Sequence, residues 1–147
     1  MKLSTRTTYG TRALVELALA PPGRPLSVRR IAQRQDISPK YLEQIMIPLR
    51  EAGIVESVRG PTGGYILARP AEQIVLAEVY SLLEGSTAPV DCLESDGSCP
   101  MHDVCPSRET WGRIKEAIER VLHSKTLADL ARVTRRRRRA ASGMYHI

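Results

Sequence analysis

The 147-residue chain contains no Phe at all, and Trp and Tyr bring its aromatic share to only 4%. A core must therefore be built from aliphatic side chains on helix faces. Recognition of single-stranded nucleic acid by stacking bases on aromatic platforms is correspondingly disfavoured. No apolar run approaches the roughly 18 residues of a membrane span. The nearest, Ala13 to Ala20 behind Lys2, Arg6 and Arg12, has the outline of a signal peptide, but Glu16 interrupts it and the segment is needed as a helix. Cysteine is scarce too. Three residues cannot make a disulfide framework, so Cys92, Cys99 and Cys105 read as ligands or redox thiols of a cytoplasmic protein. Also missing are a Gly-rich phosphate loop after a strand, a carboxylate pair and a Cys/His nucleophile setting, so no catalytic residue is assigned and an enzyme is not expected.

Charge is present but segregated. Residues 1–70 hold eleven Lys/Arg against five Asp/Glu, residues 71–134 six against eleven, and Arg135 to Arg139 add five positive charges. A basic front followed by an acidic segment suits a protein that docks on phosphates with one part and does something else with the other. At this length, 42% hydrophobic residues support one domain with an appendage. There is no internal repeat.

Apolar periodicity predicts a helix over 4–20, with Tyr9, Ala13, Leu14, Leu17 and Ala18 on one face, closed by Pro21-Pro22-Gly23. Ser27 caps a short helix through Gln35 that turns Val28, Ile31 and Ala32 inward. Asp36-Ile37-Ser38 is a turn, and Ser38-Pro39 places a cap and an N1 proline at the start of a second helix ending near Ala52. That helix buries Leu42, Ile45, Met46 and Leu49. Ile54 to Val58 and Tyr65 to Leu67 then read as strands around a Gly-rich turn. Helix, turn, helix and hairpin in that order predict a winged helix-turn-helix. Further on, a helix over Leu76 to Glu84 buries Val79, Leu82 and Leu83, and a longer one from Arg108 to His123 carries Trp111, Ile114, Ala117 or Ile118, and Val121 or Leu122 on a stripe. A last short helix, Leu127 to Val133, is capped by Thr126. The arginine run after it reads as disordered, with an auxiliary DNA contact as the alternative, and His146 in the tail reads as solvated.

The N-terminal end of the second helix of such a motif enters the major groove, so it must expose polar side chains there. Lys40, Tyr41, Glu43 and Gln44 meet that need. Gln44 can bond adenine and Glu43 can accept from cytosine, each good base contact discriminating by roughly 1–3 kcal/mol. Arg59 at the wing tip, followed by Gly60, fits a narrow minor groove, where negative potential is deepest. With Ser38 at the helix entrance, these are the candidate DNA contacts.

Cys92, Cys99 and Cys105 are six and five residues apart in the Ser-, Pro-, Asp- and Gly-rich stretch 86–107. Three thiolates on one supple loop can converge on an iron-sulfur cluster and would order the loop in doing so. The spacing lacks the close pair of a structural zinc knuckle. Zinc, and thiol oxidation without a metal, remain the alternatives.

The stretches Ile37-Ser38-Pro39-Lys40-Tyr41-Leu42-Glu43-Gln44 and Val58-Arg59-Gly60-Pro61-Thr62-Gly63-Gly64-Tyr65 resemble the IscR/NsrR-type bacterial transcription regulators of the Rrf-two superfamily. Met1 to Ser4 with Tyr9, the downstream cysteines and Thr126 to Leu130 fit the same pattern, so the likeness runs from residue 1 to about residue 131. The resemblance implies a homodimer whose long helix crosses its partner, a pseudo-palindromic operator in double-stranded DNA and, in many members, a 2Fe-2S or 4Fe-4S cluster tuning DNA affinity. It also implies a fourth cluster ligand at the positions held here by Thr8 or Arg108, neither of them a conventional ligand. His102, Asp91, Glu94 and Asp103 are the nearby donors.

The fold expected is mainly α with a small β-hairpin, a winged helix-turn-helix plus a long dimerisation helix. It divides into a DNA-binding region (1–70), a connecting helix and linker (71–91), a cysteine loop (92–107), a dimerisation helix with a short C-terminal helix (108–134) and a basic tail (135–147). The function expected is a dimeric, sequence-specific repressor, redox-sensing through a cluster on Cys92, Cys99 and Cys105.

Overall fold

Ser4, Ser27, Ser38 and Thr126 each stand one residue ahead of a helix and accept a hydrogen bond from the backbone N–H three residues on, fixing where four of the helices begin. The computed structural model describes residues 2–144. They form α1 (Thr5–Leu19), α2 (Val28–Gln35), α3 (Pro39–Glu51), β1 (Val55–Val58), β2 (Gly64–Leu67), α4 (Leu76–Leu83), α5 (Arg108–His123) and α6 (Leu127–Gly143). No helix is long and apolar enough to cross a membrane among the described residues.

Between α2 and α3 the chain turns at Asp36, which caps α2 in the left-handed region at φ 53 and ψ 49. An acidic residue tolerates that conformation better than a β-branched one. Ile37 then packs against the core, and Pro39 opens α3. The inward row of α3 is Leu42, Ile45, Met46 and Leu49, all at most 1% exposed. Each such side chain contributes about 1.5–3 kcal/mol on burial. Because that row is fully committed to the core, the opposite row must face solvent.

β1 and β2 pair antiparallel with Val55 opposite Leu67 and Val58 opposite Gly64. A two-stranded hairpin is marginal alone. Here it is held from both sides: Val55 is buried, and Tyr65 exchanges backbone hydrogen bonds of 2.8 and 3.0 Å with Leu26, the residue ahead of the α2 cap. Gly64 makes this possible. Its φ is +154°, and a Cβ there would collide with the Leu26 carbonyl.

The core does not stop at residue 70. Ile74, Val79, Leu83 and Leu127 belong to the same buried cluster as α1 and α3, so α4 and the start of α6 complete the head. Tyr80 takes the buried place on α4 that the sequence assigned to Leu82, which is only partly covered. Close packing of α1 on α4 requires Gly10, whose Cβ would strike Leu83. At the other end of the seam the Glu84 carboxylate accepts from Ser4 N (3.1 Å), Ser4 Oγ (2.7 Å) and Thr7 Oγ1.

One expectation is corrected. The short helix over 127–133 with a disordered arginine run behind it is a single helix, α6, through Gly143. A capping box starts it, Thr126 and Asp129 exchanging hydrogen bonds. Arg and Ala rank among the better helix formers, so the run continues the helix once it is nucleated. Burial of Leu127 and Ala131 and the ion pair of Arg138 with Glu16 then fasten it to α1. Like charge alone favours disorder, and these contacts outweigh it. The end of the tail, with His146, lies outside the described residues.

The Thr7 hydroxyl, then the Ser4 groups, hold the Glu84 carboxyl below its ordinary pKa. A depressed folded pKa contributes stability that is fully present above the unfolded value and is lost as pH falls through the folded one. We expect Glu84→Gln to lower stability by about 1–2 kcal/mol at pH 7, in the range of a charge-assisted hydrogen bond discounted for partial exposure. Denaturant melts from pH 7 to pH 3 should show the gap to the unaltered chain closing below about pH 4.

Candidate nucleic-acid interface and cysteine loop

On α3, Lys40, Glu43 and Gln44 are exposed on the row opposite the core. Ser38 Oγ accepts from Tyr41 N at 3.0 Å, so its first task is to cap the helix that carries them. Tyr41 is less free than its neighbours. Its ring stands edge-on to Tyr9 with centroids 6.2 Å apart, and its hydroxyl lies 3.1 Å from Thr5 Oγ1. That contact brings the N-terminal turn of α1 beside the start of α3, together with exposed Arg6 and with Arg12, whose guanidinium lies 5.9 Å from the Tyr9 ring centroid. Nothing local in the sequence signals that α1 borders this face, because the contact joins residues 36 apart through a polar pair.

Arg59 and Gly60 are exposed at the tip of the hairpin, with Gly60 at φ 118. The Leu26 bridge sets α2 beside the wing, so the helix that crosses the DNA backbone in such motifs and the arm that enters the minor groove share one rigid edge. The arrangement offers polar groups for a major groove on α3 and a guanidinium one strand away.

The cysteine loop joins α4 to α5. Cys92 sits in a 3-10 turn, Asp91–Leu93, and Cys99 and Cys105 in the turns that follow. All three are free and half-buried. Among the described residues, no three His, Cys, Asp or Glu side chains are gathered as a metal site, so the thiols are placed on one loop but not brought to one centre. The Cys105 thiol is held below its ordinary pKa by its hydrogen bond with Ser107 (3.4 Å), a bias toward the thiolate that binds soft metals. His102 is fixed by Asp103, Nδ1 to Oδ1 at 2.9 Å. Its Nε2 is buried without a hydrogen-bond partner, although Asp96 Oδ1 is 3.2 Å away out of bonding line. By chemistry, three soft thiols and an imidazole are the donor types a thiolate-seeking centre takes, although the structure does not gather them.

Of the remaining candidates, Asp91, Glu94 and Asp103 are exposed on the loop. Arg108 opens α5, its Nη2 3.8 Å from Asp96. Thr8 is on α1 and spends its hydroxyl on the Ser4 carbonyl at 3.1 Å. The loop is tied where it leaves α4. Glu84, where it leaves α4, holds the α1 cap, and Thr87 donates to Glu119 on α5 at 2.8 Å, a carboxylate that also takes Lys115 at 2.8 Å.

The α5 helix itself has no buried residue. Trp111, Ile114 and Val121, on its apolar stripe, are 37%, 39% and 61% exposed.

Comparison with known proteins agrees with this geometry. The protein rrf2 of Nitratidesulfovibrio vulgaris is 47% identical over 132 residues, 90% of this chain and 88% of the relative. The solved structure of CymR, the global cysteine regulator of B. subtilis, superposes with a TM-score of 0.76 at 39% identity, covering 90% of this chain and 98% of that one. T. potens IscR gives a TM-score of 0.74, also at 39% identity, covering 91% and 88%. The profile of the Rrf2 family, described as iron-dependent transcriptional regulator, matches residues 3–133. With a groove-reading helix, a wing and relatives that are transcription regulators rather than enzymes, the chain belongs to the Rrf2 family of DNA-binding transcription regulators.

Proposed function

We propose that the protein is a homodimeric, sequence-specific repressor whose affinity for a pseudo-palindromic operator is tuned by an iron-sulfur cluster held by Cys92, Cys99 and Cys105. One observation supports this reading above the others: the loop that carries all three thiols joins α4, part of the head, to α5, a helix with no buried residue.

A helix with an apolar stripe and no buried residue is incomplete in a single chain. A second copy of α5 covers Trp111, Ile114, Ile118 and Val121 at coiled-coil spacing and yokes two heads. Reading one palindrome then requires the two copies of α3 to stand one helical turn apart, about 34 Å. Ser38, Lys40, Tyr41, Glu43 and Gln44 meet the major groove, and Arg59 with Gly60 the minor groove.

The bound cluster would supply soft-ligand bonds that order the loop. Everything else falls to the chain. Glu84 at one end of the loop fixes the start of α1, and Thr87 near it grips Glu119 on α5. Ordering the loop therefore sets the angle between head and yoke. A few kcal/mol of differential loop stability is enough to shift such an equilibrium.

A second reading, thiol oxidation without a metal, is favoured because no three donors are gathered as a metal site among the described residues, while the Ser107 hydrogen bond biases the Cys105 thiol toward the reactive thiolate. Zinc shares the same donors.

Arg59→Ala should weaken operator binding by about 1–3 kcal/mol and relax the preference at the base steps under the wing, measured by gel shift on a panel of operator variants. The triple variant Cys92→Ser, Cys99→Ser, Cys105→Ser should bind the operator with one affinity in air and without oxygen, whereas the unaltered protein shows two. Two affinities in the triple variant would place the sensing elsewhere.

A further inference from the structure

Glu16 is 1% exposed, yet it lies in the apolar stretch of α1. Its carboxylate takes Arg34 Nη1 of α2 at 2.9 Å, Gln35 Nε2 at 3.1 Å and Arg138 Nη2 of α6. A buried carboxylate left alone would be strongly destabilising, so the arginine helix and α2 are pinned to one point. Beside that point lies a surface cavity of about 270 Å³, floored by Leu19, Pro21 and Leu26 and walled by Arg24, Arg30, Arg34 and Arg138. Arg24 and Arg30 have no acidic partner among the described residues, and a single carboxylate serves both Arg34 and Arg138. Four guanidiniums thus share one negative charge around an open cavity.

We propose that this cavity seats a phosphate of the DNA backbone outside the groove contacts, with Arg138 of α6 as its outer wall. Two features favour DNA as the occupant. Arg30 is in the first turn of α2, where the helix dipole adds positive potential, and α2 is the helix of the motif that crosses the backbone. Leu26 in the cavity lining is bridged to Tyr65 of the wing, so the cavity, α2 and the wing are held in one rigid frame that a DNA strand tracking past Arg59 and α2 would follow. The arginine run is therefore a docked wall of the interface and not a diffuse basic tail.

The proposal rests on DNA binding by the head and is tested apart from it. A mixed-sequence duplex several helical turns long is titrated with the full chain at a series of salt concentrations. Each phosphate neutralised steepens the log-log slope by about 0.9. The pair Arg24→Gln, Arg138→Gln should lose about that much slope per protomer, while Arg136→Gln, Arg139→Gln, the same charge change on the same helix outside the cavity, should lose less than half of it. Arg24→Gln alone, whose side chain makes no hydrogen bond among the described residues, is the variant that leaves the Glu16 node intact and should still lower the slope. Equal loss from both pairs would mean a diffuse charge effect and overturn the seat, as would an unchanged slope in the cavity pair. Stabilisation of the free protein by inorganic phosphate at fixed ionic strength, with no change in DNA slope, would assign the cavity to a small anion instead. Failure of the unaltered chain to bind any duplex would remove the DNA reading itself.

Discussion

The burial of one row of α3 governs the rest of the molecule. Leu42, Ile45, Met46 and Leu49 are sealed against α1, α4 and the root of the hairpin, and this fixes the rotation of α3 about its own axis. A helix so locked presents Lys40, Glu43 and Gln44 outward on a backbone that needs no further ordering. The same core captures Val55, and through it the wing. α3 and the wing are therefore one body.

The other end is built differently. The seam between α1 and α4 closes on Glu84, and the loop that begins there ends at α5. Between α4 and α5 the chain runs through a segment with little core of its own, stitched by Thr87, Glu119, Leu93 and the turns around the cysteines. Such segments sit at the low-stability end of a fold and are where binding energy can be converted into a change of stance. Soft ligands placed in that segment have leverage that the same residues on α3 would lack.

Much of this was legible in the sequence. Ser27, Ser38-Pro39 and Thr126 announce helix starts by cap chemistry, and the period of Leu42, Ile45, Met46 and Leu49 announces the buried face. Both signals are local, and both agree with the structure. What escaped was long-range. Glu16 looked like an interruption of an apolar run because its partners are 18, 19 and 122 residues away. Arg138 looked like part of a solvated charge block for the same reason. Nothing near Tyr41 in sequence foretells its contacts with Tyr9 and Thr5. The cysteine loop was visible as three soft donors, but a loop without periodicity carries no information about whether its thiols meet.

The central claim is that sulfur chemistry on the loop between head and yoke sets how tightly the heads hold DNA. Its most direct test is iron and acid-labile sulfide analysis of protein purified without oxygen, with the visible spectrum and operator affinity recorded before and after the metal is removed by chelation. The account predicts a coloured protein with iron and sulfide in comparable amounts and an operator affinity that changes on their removal. A colourless protein without sulfide, or a coloured one whose affinity is the same in both states, would contradict it.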